Sequence, residues 1–242
     1  MVSVIIPMYN SENSIIRALE SVNAQSMDDI EIICVDDNST DKSVELVKKY
    51  AKKNTNVILL ENSENRGAGY TRQIGIEESS GEYIAFLDSD DVWLNGKLEK
   101  QTALMTERDL DFTCTSYTSI STNSNNELIV PYKITYRRVL LNNPIGCSTV
   151  IIRKNAIGSI KFPFIRKRQD WAFWLLLLRS GIKCYGLSEN LTNYYKTPNS
   201  LSEKKLSLVA YHFKVFNKIL GYNILLSILF TTAYVFSKIS RS

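Results

Sequence analysis

The stretch Glu82-Tyr83-Ile84-Ala85-Phe86-Leu87-Asp88-Ser89-Asp90-Asp91 decides the fold. A short apolar run ends in three carboxylates spaced Asp-x-Asp-Asp. An apolar run of this length, bounded by charge, reads as a buried strand. Open α/β sheets gather ligands at the carboxyl ends of their strands. Three acids crowded there repel one another, and a divalent cation is the simplest relief. Mg2+ and Mn2+ prefer carboxylate oxygens and often share them with substrate phosphates. The cluster points to a metal-bridged phosphate ligand; taken alone, it suits an acidic helix-capping turn at least as well.

Upstream of this stretch, strand and helix patterns alternate. Val2–Pro7, Ile30–Val35 and Val57–Leu60 read as strands, with Tyr83–Leu87 as the fourth. Between them lie a helix over Glu12–Ala24 that Ser11 can cap, one from Thr40 or Asp41 to Lys53, and one over Gly69–Ser79. Repeated β-α-β units predict a parallel sheet with right-handed crossovers and helices on its faces. Another helix is expected over about 95–107. Beyond it the pattern loosens. Phe112–Ile120 and Ile129–Tyr136 read as strands around the polar turn Ser121–Asn126, Ser148–Ile152 as a short strand, and Trp171–Arg179 as an apolar helix.

The tail differs again. Leu206, Val209, Ala210, Phe213, Phe216 and Leu220 make an apolar stripe on a helix over Glu203–Leu220, with Lys214 and Lys218 off it and Gly221 ending it. Ile219–Phe236 as one helix would run roughly 27 Å, marginal for a membrane span. Asn223, Ser227 and Thr231 recur at every fourth position as a polar line. The pattern suits an interfacial helix, with Lys238 and Arg241 at headgroup level, or a helix packed on the domain or on a second subunit of a homodimer.

Composition narrows the chemistry. Of 242 residues, 44% are apolar and 22% charged, which fits a globular chain with a full core. Cys34, Cys114, Cys147 and Cys184 show no pair spacing, which argues for a reducing compartment and against a zinc site. His212 is the only histidine, so acid–base chemistry falls to carboxylates. Met1 runs directly into the first strand with no signal-peptide pattern, so a cytoplasmic location is expected. Residues 1–110 carry 11 Lys/Arg against 20 Asp/Glu, and residues 111–242 carry 18 against 5. The acidic half suits metal; the basic half suits an anionic acceptor or membrane surface. Nucleic acid is not expected, since no helix-turn-helix, zinc finger or aromatic RNA-binding signature is present.

Four motifs in order carry a resemblance: Val2-Ser3-Val4-Ile5-Ile6-Pro7-Met8-Tyr9-Asn10; Val35-Asp36-Asp37-Asn38-Ser39-Thr40-Asp41; Asn65-Arg66-Gly67-Ala68-Gly69 with Arg72; and Asp88-Ser89-Asp90-Asp91. Across residues 2–200 the chain resembles family 2 glycosyltransferases. The resemblance implies a GT-A fold: α/β, with a Rossmann-like, mostly parallel central sheet flanked by helices, here followed by C-terminal amphipathic helices. The expected division is a domain over 1–200, with 1–110 binding the nucleotide-sugar and 111–200 the acceptor, then a helical extension over 201–242 that associates with membrane or packs on protein.

The resemblance also distributes roles. Pro7 ends strand pairing, and Tyr9 offers an aromatic face to a base or packs in its loop. Asp37 is the nucleotide contact, able to accept from a uracil N–H, while Asp36 or Asp37 could instead cap the following helix. Asn65 and Gly69 belong to a turn whose helix can approach phosphate. Arg72 reaches the nucleotide or lies on a solvated helix face. Asp88 and Ser89 contact ribose or sugar; Asp90 is the main metal ligand, with Asp91 in support, for Mn2+ or Mg2+. In Arg166-Lys167-Arg168-Gln169-Asp170-Trp171, Asp170 is the expected base on the acceptor hydroxyl, against the alternative of a helix-capping aspartate. Gln169 stands where the family often has a second acid. Gln169 and Trp171 are acceptor-side candidates, Trp171 equally a core residue. Lys196, in Tyr194-Tyr195-Lys196 before Ser200, is a diphosphate candidate.

The motif set lacks Gln-x-x-Arg-Trp and long hydrophobic spans, so single addition is expected rather than processive synthesis. The activity implied is inverting transfer of one sugar from a UDP-sugar to a hydroxyl of an undecaprenyl-diphosphate-linked saccharide, as in bacterial O-antigen or capsule assembly. It would occur peripherally at the cytoplasmic face of the inner membrane. A sugar nucleotidyltransferase is disfavoured because Pro7–Asn10 is not a Gly-rich basic loop. A non-catalytic nucleotide-sugar scaffold is disfavoured by the complete acidic set.

Overall fold

The computed structural model describes residues 1–122, 124–196 and 205–239, with side chains omitted at 205–207 and 237–239. Ser200, Glu203 and Arg241, and the side chains of Leu206 and Lys238, lie outside the described residues.

Strands β1 (Val2–Met8), β2 (Ile30–Asp36), β3 (Val57–Glu61) and β4 (Tyr83–Phe86) alternate with helices α1 (Ile15–Asn23), α2 (Ser43–Ala51) and α3 (Ala68–Glu78). All pairings among these four strands are parallel, in the order β3-β2-β1-β4. This parallel half is continued by antiparallel β9 (Ile151–Arg153), then β6 (Phe112–Ile120), β10 (Cys184–Tyr195) and β5 (Val92–Trp93). Strands β7 (Asn125–Leu128) and β8 (Lys133–Ile134) pair at the side, on β6 and β10.

Alternation explains why a nearly continuous apolar strand suits this place. Val4 and Ile6 enter one core with Leu19, Val22 and Leu98, while Ile5 enters the other with Phe86, Phe112, Phe173 and Trp174. Ala85 and Leu87 divide from Ile84 and Phe86 in the same way. A strand covered on both faces loses the polar alternation of a half-exposed one.

Helix α4 (Lys97–Glu107) follows left-handed Gly96, and α7 (Gln169–Arg179) begins two residues before the expected start. Four expectations need correction. Pro7 does not end strand pairing, since Pro7 and Met8 still pair with Val35 and Asp36 of β2. The region Ile129–Tyr136 is not one strand: β8 is two residues long, and Tyr136 opens α5 (Tyr136–Leu141), whose N–H at Arg138 donates to Thr135 Oγ1 at 3.3 Å. Residues Cys147–Thr149 form a 3₁₀ turn, which delays β9 to Ile151, and the single-turn helix α6 (Lys154–Ile157) follows that strand. Ser11 is not a side-chain cap of α1; its hydroxyl meets Ser89 Oγ at 2.7 Å.

In the tail, α8 (Lys205–Lys214) runs into a π-helical turn, Val215–Ile219, before Gly221 and α9 (Ile224–Ile239). Val209 and Ala210, expected on the apolar stripe, are exposed, and His212 is buried instead, against Trp171 and Tyr234. Among the described residues no helix is long and apolar enough to cross a membrane.

Candidate active site

Two adjoining cavities open beside the parallel half of the sheet. The first, about 310 Å3, is lined by Pro7, Tyr9, Asp37, Asp88, Ser89 and Asp90 among others. The second, about 320 Å3, is lined by Asp91, Tyr117, Arg168, Asp170, Tyr194 and Tyr234 among others. Arg72, Asp88 and Gln169 line both.

Strand ends supply the first cavity. Tyr9 follows β1 and keeps half its surface exposed, so its ring is available for stacking. Asp37 follows β2 and is buried. Its Oδ1 accepts from Arg66 N–H at 2.9 Å and Asn62 Nδ2 at 3.2 Å, and its Oδ2 accepts from Gly67 N–H at 2.7 Å. A carboxylate has about four lone-pair sites, so Oδ2 retains one for a ligand N–H. Neither Asp36 nor Asp37 caps α2: Asp36 accepts from Ser39, and Asp41 accepts from the N–H and hydroxyl of Ser43.

Arg72 does not lie on a solvated face. It is 4% exposed, ion-paired with Asp88, and its Nε and Nη1 are buried without hydrogen-bond partners. Burial opposes its charge, but Cys147 and the Asp88 and Asp170 carboxylates outweigh that and hold its pKa above the ordinary value. A buried guanidinium with two idle donors beside a cavity is suited to an anionic ligand.

Asp91 is buried at 1% exposure. Its Oδ2 accepts from Ser148 Oγ at 2.5 Å and its Oδ1 from Tyr195 N–H at 3.0 Å. Burial, then the Asp88 and Asp90 carboxylates, push its carboxyl well above the usual range. Ser148 also accepts from Asp88 N–H at 3.0 Å, so one hydroxyl ties the whole acidic loop to the turn before β9. Arg17 donates to the Asp90 carbonyl at 2.8 Å and lies over the Tyr195 ring. Neither Ser148 nor Arg17 carries a sequence signal; both follow from chain crossings.

Among the described residues no three acidic, cysteine or histidine side chains form a ready-made metal cage. The donors fit a different kind of site. Asp88 and Asp90 present hard oxygens to the same cavity as Tyr9 and Asp37, and crowded negative charge raises Asp91. Magnesium-type ions are commonly held by one or two carboxylates with substrate phosphates completing the shell.

Asp170 stands in the first turn of α7 and lines the second cavity, two residues after left-handed Arg168. The helix N-cap is Arg168, so Asp170 is not the capping residue. Gln169 is 8% exposed with an unpartnered Oε1. Four expected site residues fall away from the cavity linings. Asn65 bonds Arg166 through its side-chain and main-chain oxygens and donates to the Asp37 carbonyl at 3.1 Å. Gly69 is a packing contact: a Cβ there would lie 2.5 Å from the Pro163 carbonyl oxygen. Trp171 is 1% exposed and donates from Nε1 to the Val139 carbonyl at 2.8 Å, because its position on α7 turns it into the core. Lys196 is exposed at the end of β10 and lines neither cavity.

The family described as "Glycosyl transferase family 2" matches residues 3–158. TuaG of Bacillus subtilis (strain 168), named for teichuronic acid biosynthesis, is 40% identical over 85% of this chain and 82% of its own length. WfgD of Escherichia coli, named UDP-Glc:alpha-D-GlcNAc-diphosphoundecaprenol beta-1,3-glucosyltransferase, is 33% identical over 85% of this chain and 81% of its own. In fold, S. aureus TarS 1–349 with UDP-GlcNAc superposes with a TM-score of 0.76 at 21% identity, over 97% of this chain and 71% of that one. A Pyrobaculum calidifontis mannosyltransferase with GDP-Man and Mn2+ gives 0.73 at 16% identity, over 96% and 71%. The α/β architecture is that of the GT-A glycosyltransferases, and the chain belongs to glycosyltransferase family 2.

Proposed function

We propose that this glycosyltransferase adds one sugar from a UDP-sugar to a hydroxyl of an undecaprenyl-diphosphate-linked saccharide, with inversion. It would work at the cytoplasmic face of a bacterial inner membrane, in surface-polysaccharide assembly. The observation that carries the reading is the pair of adjoining cavities. Nucleotide-type residues line one, Asp170 lines the other, and the Arg72–Asp88 pair stands between. The named activity of WfgD supports the UDP donor and the lipid-diphosphate acceptor.

The donor base stacks on Tyr9, and a uracil N–H takes the remaining site on Asp37 Oδ2. Asp90, with Asp88 in place of the expected Asp91, whose two oxygens already accept from Ser148 and the Tyr195 N–H, would hold a divalent metal, which when bound supplies charge neutralisation to the diphosphate leaving group. Arg72 directs its idle Nε and Nη1 donors at the same developing charge. Asp170 takes the proton from the acceptor hydroxyl. The freed oxygen attacks the anomeric carbon opposite the departing UDP, forming the glycosidic bond as the carbon–phosphate-oxygen bond breaks. The C-terminal helices keep the enzyme on the membrane.

Asp170→Asn tests the assignment. Turnover should fall about 10²- to 10⁴-fold, the usual contribution of a general base. UDP affinity, measured by calorimetry with Mn2+, should hold in Asp170→Asn and drop in Asp90→Ala. Near-normal turnover by Asp170→Asn would overturn the base assignment.

A further inference from the structure

The second cavity has chemistry that sugar transfer alone does not use. Beside Asp88, Asp91 and Asp170 it is lined by Arg166, Lys167 and Arg168. Arg166 is committed to Asn65 through two hydrogen bonds. Arg168 is different. It holds a left-handed backbone at φ 64°, uncommon for a non-glycine residue, and its buried Nε has no hydrogen-bond partner. Strain retained at a cavity wall marks a position that the surroundings enforce.

Tyr234, on α9, also lines this cavity. That helix is built inside out. Ser227 and Thr231 are buried, their hydroxyls satisfied by carbonyls of the preceding turn at 2.8 and 2.7 Å. Ile224, Leu225, Ile228, Leu229 and Phe236 are exposed, Leu225 by 79%. Two of the three residues of the polar line read from the sequence, Ser227 and Thr231, thus face the protein, Asn223 is exposed at the start of the helix, and the apolar face looks outward. A contiguous outward apolar face marks an interaction surface. Exposed Lys214 and Lys218 lie on the adjoining helical segment and complement anionic headgroups.

The cavity therefore brings together a carboxylate, cations and a helix with an outward apolar face. A lipid-linked acceptor carries the matching set: sugar hydroxyl, diphosphate, hydrocarbon. Resting on the function proposed above, we propose that Lys167 and Arg168 bind the acceptor's diphosphate, between the sugar at Asp170 and a bilayer-embedded chain along α9. Charge-assisted hydrogen bonds from a guanidinium are the strongest common way to hold such a group. Lys167 and Arg168 are binding residues here and take no part in bond making.

The test uses undecyl diphosphate, which carries the diphosphate and a chain but no sugar. Its affinity for the full-length protein is measured by calorimetry with UDP and Mn2+ saturating the donor cavity. The variant is Lys167→Gln/Arg168→Gly, since glycine accepts the left-handed backbone and keeps the fold. The expected result is a tenfold or greater loss of undecyl diphosphate affinity with UDP affinity unchanged. Equal affinity in both proteins would overturn the proposal. So would a variant that loses binding only to phosphatidylglycerol vesicles, because the cations would then serve headgroups. A wild-type protein that binds undecyl diphosphate but not UDP would sink the donor reading and leave the diphosphate site standing.

Discussion

Lys97 is a fully buried lysine beneath the acidic loop. Its Nζ donates to Gln101 Oε1 at 2.7 Å and lies 4.3 Å from the Trp93 ring centroid. Gln101 in turn donates to the Thr149 carbonyl at 3.1 Å, and Trp93 Nε1 to the Ser148 carbonyl at 2.7 Å. Lys97 therefore underlies the turn that holds Asp91. Burial pushes its pKa down to about 7 from an ordinary 10.5. Between those values the unfolded chain binds the extra proton and the folded chain releases it. Stability consequently rises with pH over that window. The Tm of the wild type should climb between pH 7 and 9 relative to Lys97→Met, as followed by scanning calorimetry; parallel profiles would refute the assignment. Arg72 makes a second residue-scale prediction. Arg72→Met removes the idle donors and should weaken UDP binding tenfold or more. Arg72→Lys should recover little of it, because an ammonium lacks the planar fork. Calorimetric titration with UDP decides both.

At the scale of elements, the Asn65–Gly69 turn joins the two halves of the site. Asp37 gathers the N–H groups of Arg66 and Gly67, Asn65 holds Arg166, and α3 packs on the 163–169 segment through Gly69. Gly69→Ala places a methyl group against the Pro163 carbonyl, and overpacking of this kind costs about 1–3 kcal/mol. Thermal unfolding should show a lowered Tm, and turnover should fall because Gln169 and Asp170 move with the displaced segment. An unchanged Tm would mean that the segment yields freely. The strands and helices of the first half were legible because their apolar runs are long and regularly punctuated. The second half was less so. The twelve-residue β10, Cys-Tyr-Gly-Leu-Ser-Glu-Asn-Leu-Thr-Asn-Tyr-Tyr, went unread because two register irregularities against β6 break its alternation. The π-helical turn at Val215–Ile219 likewise breaks the 3.6-residue period, so a single stripe drawn through residues 206–220 does not hold on both sides of it.

At the scale of the whole molecule, one sheet runs through both halves, and α9 lines the cavity that holds Asp170 while exposing its apolar face. Leu225→Glu/Leu229→Glu alters side chains 79% and 58% exposed. The Tm should stay within a few degrees of wild type, whereas co-sedimentation with phosphatidylglycerol vesicles should fall severalfold. Retained sedimentation would assign that face to another occupant, and a shift in oligomeric state in solution would identify a second copy of the chain.

The sequence by itself determined the β-α-β order of the first half, the parallel pairing that such crossovers impose, and the concentration of carboxylates at a strand's end. These are local facts, carried by periodicity, turn residues and spacing. Only the tertiary structure decided which residues share a wall. It turned Trp171 into the core and left Lys196 in solvent, buried Arg72 with two idle donors, made Ser148 the tie between Asp88 and Asp91, and brought Arg168 and Tyr234 to one cavity. Those placements depend on contacts between segments more than a hundred residues apart, such as Tyr195 with Asp91 and Arg166 with Asn65. No local pattern encodes them, because the free energy that fixes them comes from packing and from satisfying buried polar groups after the chain has crossed itself.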